Sequence, residues 1–248
     1  LDLSSQVLSD ASYSTKPGGA GVVTASQPSD FTALVSTFNV ARSVAARLQV
    51  SGPHCNQDYA CSSGYLATHH ASSALQAEDE CSMMLVAGVS LLLKPEPILG
   101  VYMMGVLSPS GRMRPFDTRA DGMVWGEASV AIVLTAETFD SDSGSHAVLL
   151  GSAANTHHAL SPAGSVAADM FAGAAEAGLA AAGINPEQLA VIHPHGMGNP
   201  PSDVPELIGL LEALSGCPRR EQPLVLVGHK ANFGHSVCAA GLISMVVS

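Results

Sequence analysis

The sequence predicts an α/β layered protein. Segments of apolar, strand-like residues alternate along the chain with segments of helical spacing. The strand segments are near-continuous apolar runs, which is how strands buried on both faces read. Ala and Gly are abundant and aromatic residues make up only 4%, a composition suited to helices packed closely on a sheet. Apolar residues account for 47% of the 248 positions and charged residues for 12%. Disordered chains show the opposite balance.

Residues 1–20 are rich in Ser and Gly, with Pro17-Gly18-Gly19 as a breaker, and predict an irregular segment. Residues 21–25 predict a short buried strand. Residues 31–50 carry Leu34, Val35, Phe38, Val44 and Leu48 at helical spacing, stopped by Gly52-Pro53. A short strand is expected over 54–58. A helix follows over 62–78, with Leu66, Ala67, His70, Ala71, Ala74 and Leu75 on one face. Residues 83–89 form an apolar run of strand length. The polar stretch 107–121 predicts a surface loop carrying Arg112, Arg114 and Arg119. Residues 127–135 and 146–154 predict a hairpin around a turn at 140–145. An Ala-rich helix over 166–183 ends at Gly183. A strand at 189–193, a helix over 204–214, a strand at 224–228 and helical structure from Ser236 complete the reading. No internal repeat and no linker divides the chain, so residues 21–248 read as one partial domain.

Acidic residues number 21 against 10 Lys and Arg, a net charge of −11. A nucleic-acid binder carries the reverse balance, so that class is set aside. No apolar run reaches the ~18 residues of a membrane span. The first residues lack a basic segment followed by an apolar one, so no signal peptide is expected. The apolar helical pattern that ends at Ser248 without a cap, and the start without Met, predict a fragment of a longer chain. The five cysteines form no C-x-x-C pair, which favours a reducing, cytoplasmic setting over a disulfide scaffold or zinc module.

Three chemistry-bearing residues sit on predicted strand-to-helix connections. Cys61 lies among the small residues Ala60, Ser62, Ser63 and Gly64. A thiol at a helix start feels the positive end of the dipole, which favours the thiolate, and backbone N–H groups there are candidates for an oxyanion hole. A buried structural cysteine is the alternative. His195 follows the 189–193 strand in a Gly/Pro-rich loop, and His235 and Lys230 follow the 224–228 strand. Ligand sites gather at such strand ends. His69, His70, His146, His157 and His158 are expected to be ordinary surface residues. The separation of Cys61, His195 and His235 along the chain matches no short metal motif, so no metal is expected.

Asp58-Tyr59-Ala60-Cys61-Ser62-Ser63-Gly64 resembles the D-T-A-C-S-S-S motif of β-ketoacyl synthases, specifically the ketosynthase domains of polyketide synthases. His195-Gly196-Met197-Gly198-Asn199-Pro200 is similar to the family's H-G-T-G-T-P, and Lys230-Ala231-Asn232-Phe233-Gly234-His235 to K-S-N-I-G-H. Arg114-Pro115-Phe116-Asp117, Ala120-Asp121-Gly122 and Gly126-Glu127 resemble R-P-F-D, A-D-G and G-E. Asp203 and Glu206 fall where the family has D-P-I-E. The blocks keep the family's order and cover a little over half of such a domain.

The resemblance implies a thiolase-like αβαβα layered sandwich, here truncated at both ends, and a homodimer. It implies that Cys61 accepts an acyl chain as a thioester. His195 and His235 would drive decarboxylation of a malonyl thioester, and a Lys230–Glu206 ion pair backed by Asp203 would orient the two imidazoles. Met197, Asn199 and Phe233 would meet the phosphopantetheine arm of an acyl carrier protein, which brings acyl and malonyl thioesters. No bound cofactor is implied. Arg112, Arg114 and Arg119 are candidates for docking the acidic carrier. The chain departs from the pattern at Tyr59, Ala128, His193-Pro194, Met197 and Asn199. The Met197 and Asn199 changes motivate one alternative, a catalytically silent thiolase-fold partner; a thiolase or fatty-acid ketosynthase of the same fold is a further alternative.

Overall fold

The computed structural model describes residues 19–27, 40–77, 81–136, 145–156, 167–216 and 222–248. The expectations for 1–18 and 31–39, for His157 and His158, and for nearly all of the turn at 140–145 lie outside the described residues. The chain falls into two compact units. The first runs to Ile98 and adds 126–148 and Ser236–Val247; the second comprises Leu99–Trp125 and Leu149–His235.

The first unit is built on a four-stranded mixed sheet of order β2-β1-β3-β4. Its strands are β1 (Ala20–Ser26), β2 (His54–Gln57), β3 (Met83–Ser90) and β4 (Ala128–Thr135). β1 runs parallel to both β2 and β3, with Val22 opposite Leu85. Central β1 and β3 are buried along almost their whole length, as their unbroken apolar sequences require. Alternation divides their side chains between two faces. On one face Val22 and Leu85 pack with Ala41 and Ala45 of helix α1 (Val40–Leu48), bordered by Ala131 and Val133 of β4. On the other lie helix α2 (Ser63–Gln76), the 3-10 turn Val237–Ala239 and helix α7 (Ala240–Val246).

Two expectations are corrected here. β4 does not pair with 146–154; it pairs antiparallel with β3, where Ala131 and Val133 extend the apolar face beside Leu85. Residues 145–156 are irregular, and Val148, Leu149 and Leu150 are exposed. The buried side of α2 is Ser63, Gly64, Ala67, Thr68 and Ala71, whereas His70 is exposed. Small residues occupy that side because the neighbouring backbone lies so close. A β-carbon on Gly64 would stand 2.9 Å from the carbonyl oxygen of Cys238.

The second unit carries helix α4 (Ala168–Ala182), ended by Gly183 in the left-handed conformation as the sequence indicated, packed on helix α5 (Pro200–Ala213). α5 begins earlier than the expected 204, because Pro200 stands in the first turn, where a missing N–H costs nothing. The same tolerance admits helix α3 (Pro95–Met103), which the prolines of Pro95-Glu96-Pro97 hid in the sequence. The strands expected at 189–193 and 224–228 shrink to a two-residue parallel pair, β5 (Val191–Ile192) with β6 (Val225–Leu226). Lys230–Phe233, expected as loop, forms the short helix α6.

Gly64→Ala forces its new methyl against backbone rather than a movable side chain. We expect it to cost about 1–3 kcal/mol, the usual range for overpacking. A urea titration should show a lower midpoint at unchanged slope.

Candidate active site

Cys61 occupies the middle of a 3-10 turn, Ala60–Ser62, that joins β2 to α2. This is the strand-to-helix connection the sequence indicated. Ala60 is held at φ 49, a left-handed conformation that any residue with a β-carbon resists. Ser63 fastens the turn, accepting from the Tyr59 N–H at 2.8 Å and donating to the Ala60 carbonyl at 2.7 Å. The Ser62 N–H is bonded to the Tyr59 carbonyl and the Ser63 N–H to that of Ala60. Those two amides are therefore not the oxyanion hole expected at this helix start. Cys61 is half-buried.

In the second unit a loop, a helix and a turn bring five of the sequence-identified residues together. Asp203 and Glu206 stand one turn apart on the buried face of α5. Both carboxylates grip backbone. Glu206 accepts the N–H groups of His195 and Gly196, the latter at 2.8 Å. Asp203 accepts from Met197 at 2.7 Å and from Phe116 at 2.9 Å. The loop 193–199 is thereby tied to α5 and to the Arg114–Asp117 block. Gly198 lies at φ 67 with its β-position 2.9 Å from the carbonyl oxygen of Gly122, so this crossing admits only glycine. Met197 uses its backbone in this anchor, so replacing the family's threonine leaves the loop's attachment intact.

Lys230 is 3% exposed at the start of α6. Its ammonium donates to the His195 carbonyl and lies 3.4 Å from His195 Nδ1. An ammonium has only protons to offer, so Nδ1 must accept and the ring proton belongs on Nε2. Lys230 thus reaches His195 directly, and its charge also acts on Glu206. Burial raises the Glu206 carboxyl above its ordinary value, opposed by its bonds to the Gly196 and His195 amides and by Lys230.

His235 is 1% exposed; its N–H bonds the Val124 carbonyl at 2.7 Å, and it bridges to Trp125. Its ring meets that of His195 edge-on, centroids 5.4 Å apart. Burial, then the Lys230 charge, depresses both imidazoles, to about 3 for His195 and about 2 for His235. Both rings are neutral at physiological pH, as hydrogen-bond donors to a developing oxyanion must be if they are not to trap a salt bridge instead.

Sequence reasoning missed His229. It is buried beside His193, centroids 6.4 Å apart, and neither of its ring nitrogens has a hydrogen-bond partner among the described residues. Burial first, then Lys230, lowers it to about 4. Its place directly before Lys230 was the available signal. Asn199 is half-buried at the start of α5, where its side chain makes no cap hydrogen bond, and Phe233 is 53% exposed. The basic loop is less basic than its composition implies. Arg119 pairs with Asp117 at 2.8 Å and holds that carboxyl well below the usual range, and Arg114 lies 3.9 Å from Asp121.

Comparison with known proteins shows the family. Residues 12–139 match the "Beta-ketoacyl synthase, N-terminal domain" family and residues 146–248 the "Beta-ketoacyl synthase, C-terminal domain" family. The chain belongs to the β-ketoacyl synthases. It is 38% identical over 216 residues to polyketide synthase ThaG of Burkholderia thailandensis, covering 84% of this chain and 4% of that protein. It is 32% identical over 216 residues to the phthioceranic/hydroxyphthioceranic acid synthase of Mycobacterium tuberculosis, covering 86% and 10%. Among solved structures it is similar to the ketosynthase from module 6 of the bacillaene synthase of Bacillus subtilis, with a TM-score of 0.86, 28% identity, and 98% of this chain on 44% of that one. The module 1 ketosynthase of the Bacillus amyloliquefaciens bacillaene synthase gives 0.83 at 26% identity, covering 98% and 46%. The β-ketoacyl synthase chain thus has the thiolase-like fold and spans under half of these solved chains. No helix among its described residues is long and apolar enough to cross a membrane.

Two outcomes follow from the buried imidazoles. The unfolded chain takes up protons on His195, His229 and His235 near pH 6.5, whereas the folded chain resists until well below. Their contribution to stability is therefore full above about pH 7 and is lost as pH falls. Each adds a slope of up to about 1.4 kcal/mol per pH unit. Urea midpoints measured from pH 7 to 5 should fall accordingly. His229→Phe removes one such group together with two unsatisfied buried nitrogens. It should be neutral or stabilising and should flatten that pH dependence, because its penalty of about 1–3 kcal/mol disappears.

Proposed function

We propose that the protein is a polyketide-type ketosynthase that forms carbon–carbon bonds by decarboxylative Claisen condensation. The observation carrying this reading is the pair of neutral imidazoles, His195 and His235, with Lys230 holding the Nδ1 side of the first. In this reading the Cys61 thiolate attacks an acyl thioester, and the carrier's thiol leaves. A malonyl thioester then loses carbon dioxide, and the resulting enolate carbon attacks the Cys61 thioester carbonyl. The C–C bond forms, and the Cys61 sulfur departs with the electron pair. Thiolates suit both halves because they are strong nucleophiles and good leaving groups. The enolate arises by loss of carbon dioxide, so no strong base is required. What the chemistry needs is donors for the negative oxygen, and an Nε2–H on His195 is one.

The substrates would arrive on the phosphopantetheine of an acyl carrier protein, with Met197, Asn199 and Phe233 along the arm. The chain would act as part of a homodimeric domain in the cytoplasm. Asp203 and Glu206 hold the His195 loop and do not touch substrate in this scheme. They are positioning residues.

Incubating the full-length protein with an acyl thioester should give, by intact mass, one acyl adduct that Cys61→Ala removes. Decarboxylation of a malonyl-carrier substrate should fall about 10²–10³-fold in His235→Ala, the usual cost of losing one such donor. A protein that takes no adduct and releases no carbon dioxide would be the silent partner instead.

A further inference from the structure

Against the Cys61 turn, the first unit carries another thiol for which condensation has no use. The 3-10 turn Val237–Ala239 packs along the 3-10 turn Ala60–Ser62, with α-carbons of the two turns within 8 Å. At its centre is Cys238, 1% exposed, its carbonyl oxygen against Gly64. Cys61 is near enough for its charge to bear on the ionisation of the Cys238 thiol. The two cysteines differ in access: Cys61 is half-buried and Cys238 is sealed. Disulfides require α-carbons within about 7 Å, the approach this pair would have to reach.

We propose that Cys238 is a resolving cysteine for Cys61, so that a peroxide converts the pair to a reversible disulfide. This rests on the reading of Cys61 as a reactive thiolate. The Cys61 sulfur attacks one peroxide oxygen, the O–O bond breaks, and a sulfenic acid forms with release of hydroxide, which takes a proton to become water. Cys238 gives up its proton and attacks the Cys61 sulfur; the S–S bond forms and the S–O bond breaks. The departing hydroxide leaves as water with that proton. Two thiols are oxidised by two electrons and one peroxide becomes two waters. Only Cys61 meets the oxidant, because Cys238 is sealed. The disulfide then spares Cys61 the sulfinic and sulfonic states that are not readily reversed.

Burial pushes the Cys238 thiol up to about 11. The resolving step should therefore speed up about tenfold per unit between pH 7 and 9, following the thiolate fraction.

The test treats the reduced full-length protein with hydrogen peroxide. The expected result is a loss of 2 Da by intact mass, with a cross-linked pair of peptides containing Cys61 and Cys238 and recovery of acyl loading on adding dithiothreitol. Cys238→Ala and Cys238→Ser should load acyl groups normally before oxidation. After it they should show oxygen adducts on Cys61 and lose recovery. Oxygen adducts on Cys61 in the unaltered protein, without the cross-link at either pH 7 or 9, would overturn the proposal. Acyl loading of the reduced protein is scored separately. Loading without a cross-link sinks the thiol pair alone, and a cross-link without loading sinks the ketosynthase reading alone.

Discussion

Two carboxylates bonded to backbone amides are the constraint on which the second unit's chemistry depends. Asp203 and Glu206 are each 3% exposed, and an ionised carboxylate at such depth is costly unless its oxygens are satisfied. Four N–H groups satisfy them, those of Phe116, His195, Gly196 and Met197. The exchange works both ways. The loop gains fixed amide positions, and the helix gains partners for its buried carboxylates. Because the bonds go to main chain, side-chain changes at Met197 pass through without loosening the anchor. His195 itself is then placed by its own N–H, its own carbonyl and its Nδ1, with Glu206 on the first and Lys230 on the other two.

That arrangement explains why a lysine is buried next to an imidazole that has to stay neutral. A carboxylate at Nδ1 would favour the imidazolium, as paired acids do, and would raise the ring's affinity for a proton. An ammonium does the reverse. It penalises protonation, and burial adds to that penalty in the same direction. The ring is thereby fixed both in charge and in tautomer. His235 reaches the same neutrality mainly through burial, with Lys230 as a second contribution. One cation thus adds to the effect of burial on both rings.

The legible and illegible parts of this structure divide along physical lines. Central β1 and β3, α2 and α4 could be read because a strand buried on both faces and a helix ended by Gly183 leave local signals. Lys230, His195 and His235 were found through contiguous motifs, and Asp203 and Glu206 through their offset after one of them. What escaped was set by tertiary partners. Strand β4 was recognised, yet its mate was misplaced, because the register that puts Val133 opposite Leu85 is a property of the sheet and not of either segment. Helix α3 and the first turn of α5 were hidden by prolines that break a helix interior but suit its start. His229 has the polarity of a surface residue, and only the packing reveals that it is enclosed.

His229 also shows where this site departs from economical design. A buried imidazole whose two nitrogens find no partner among the described residues is a cost that packing alone does not return. It sits one residue before Lys230, and its own charge, were it protonated, would bear on both His195 and His235. Three rings and one ammonium therefore share a single electrostatic balance. Burial first, and then the charge already present on Lys230, keeps the other three from acquiring one. Removing that ammonium would lift one shared part of the restraint on all three rings, so the pH behaviour of this cluster is a joint property. Substitution of His229 removes a charge that would bear on both other rings, even where the rings do not touch.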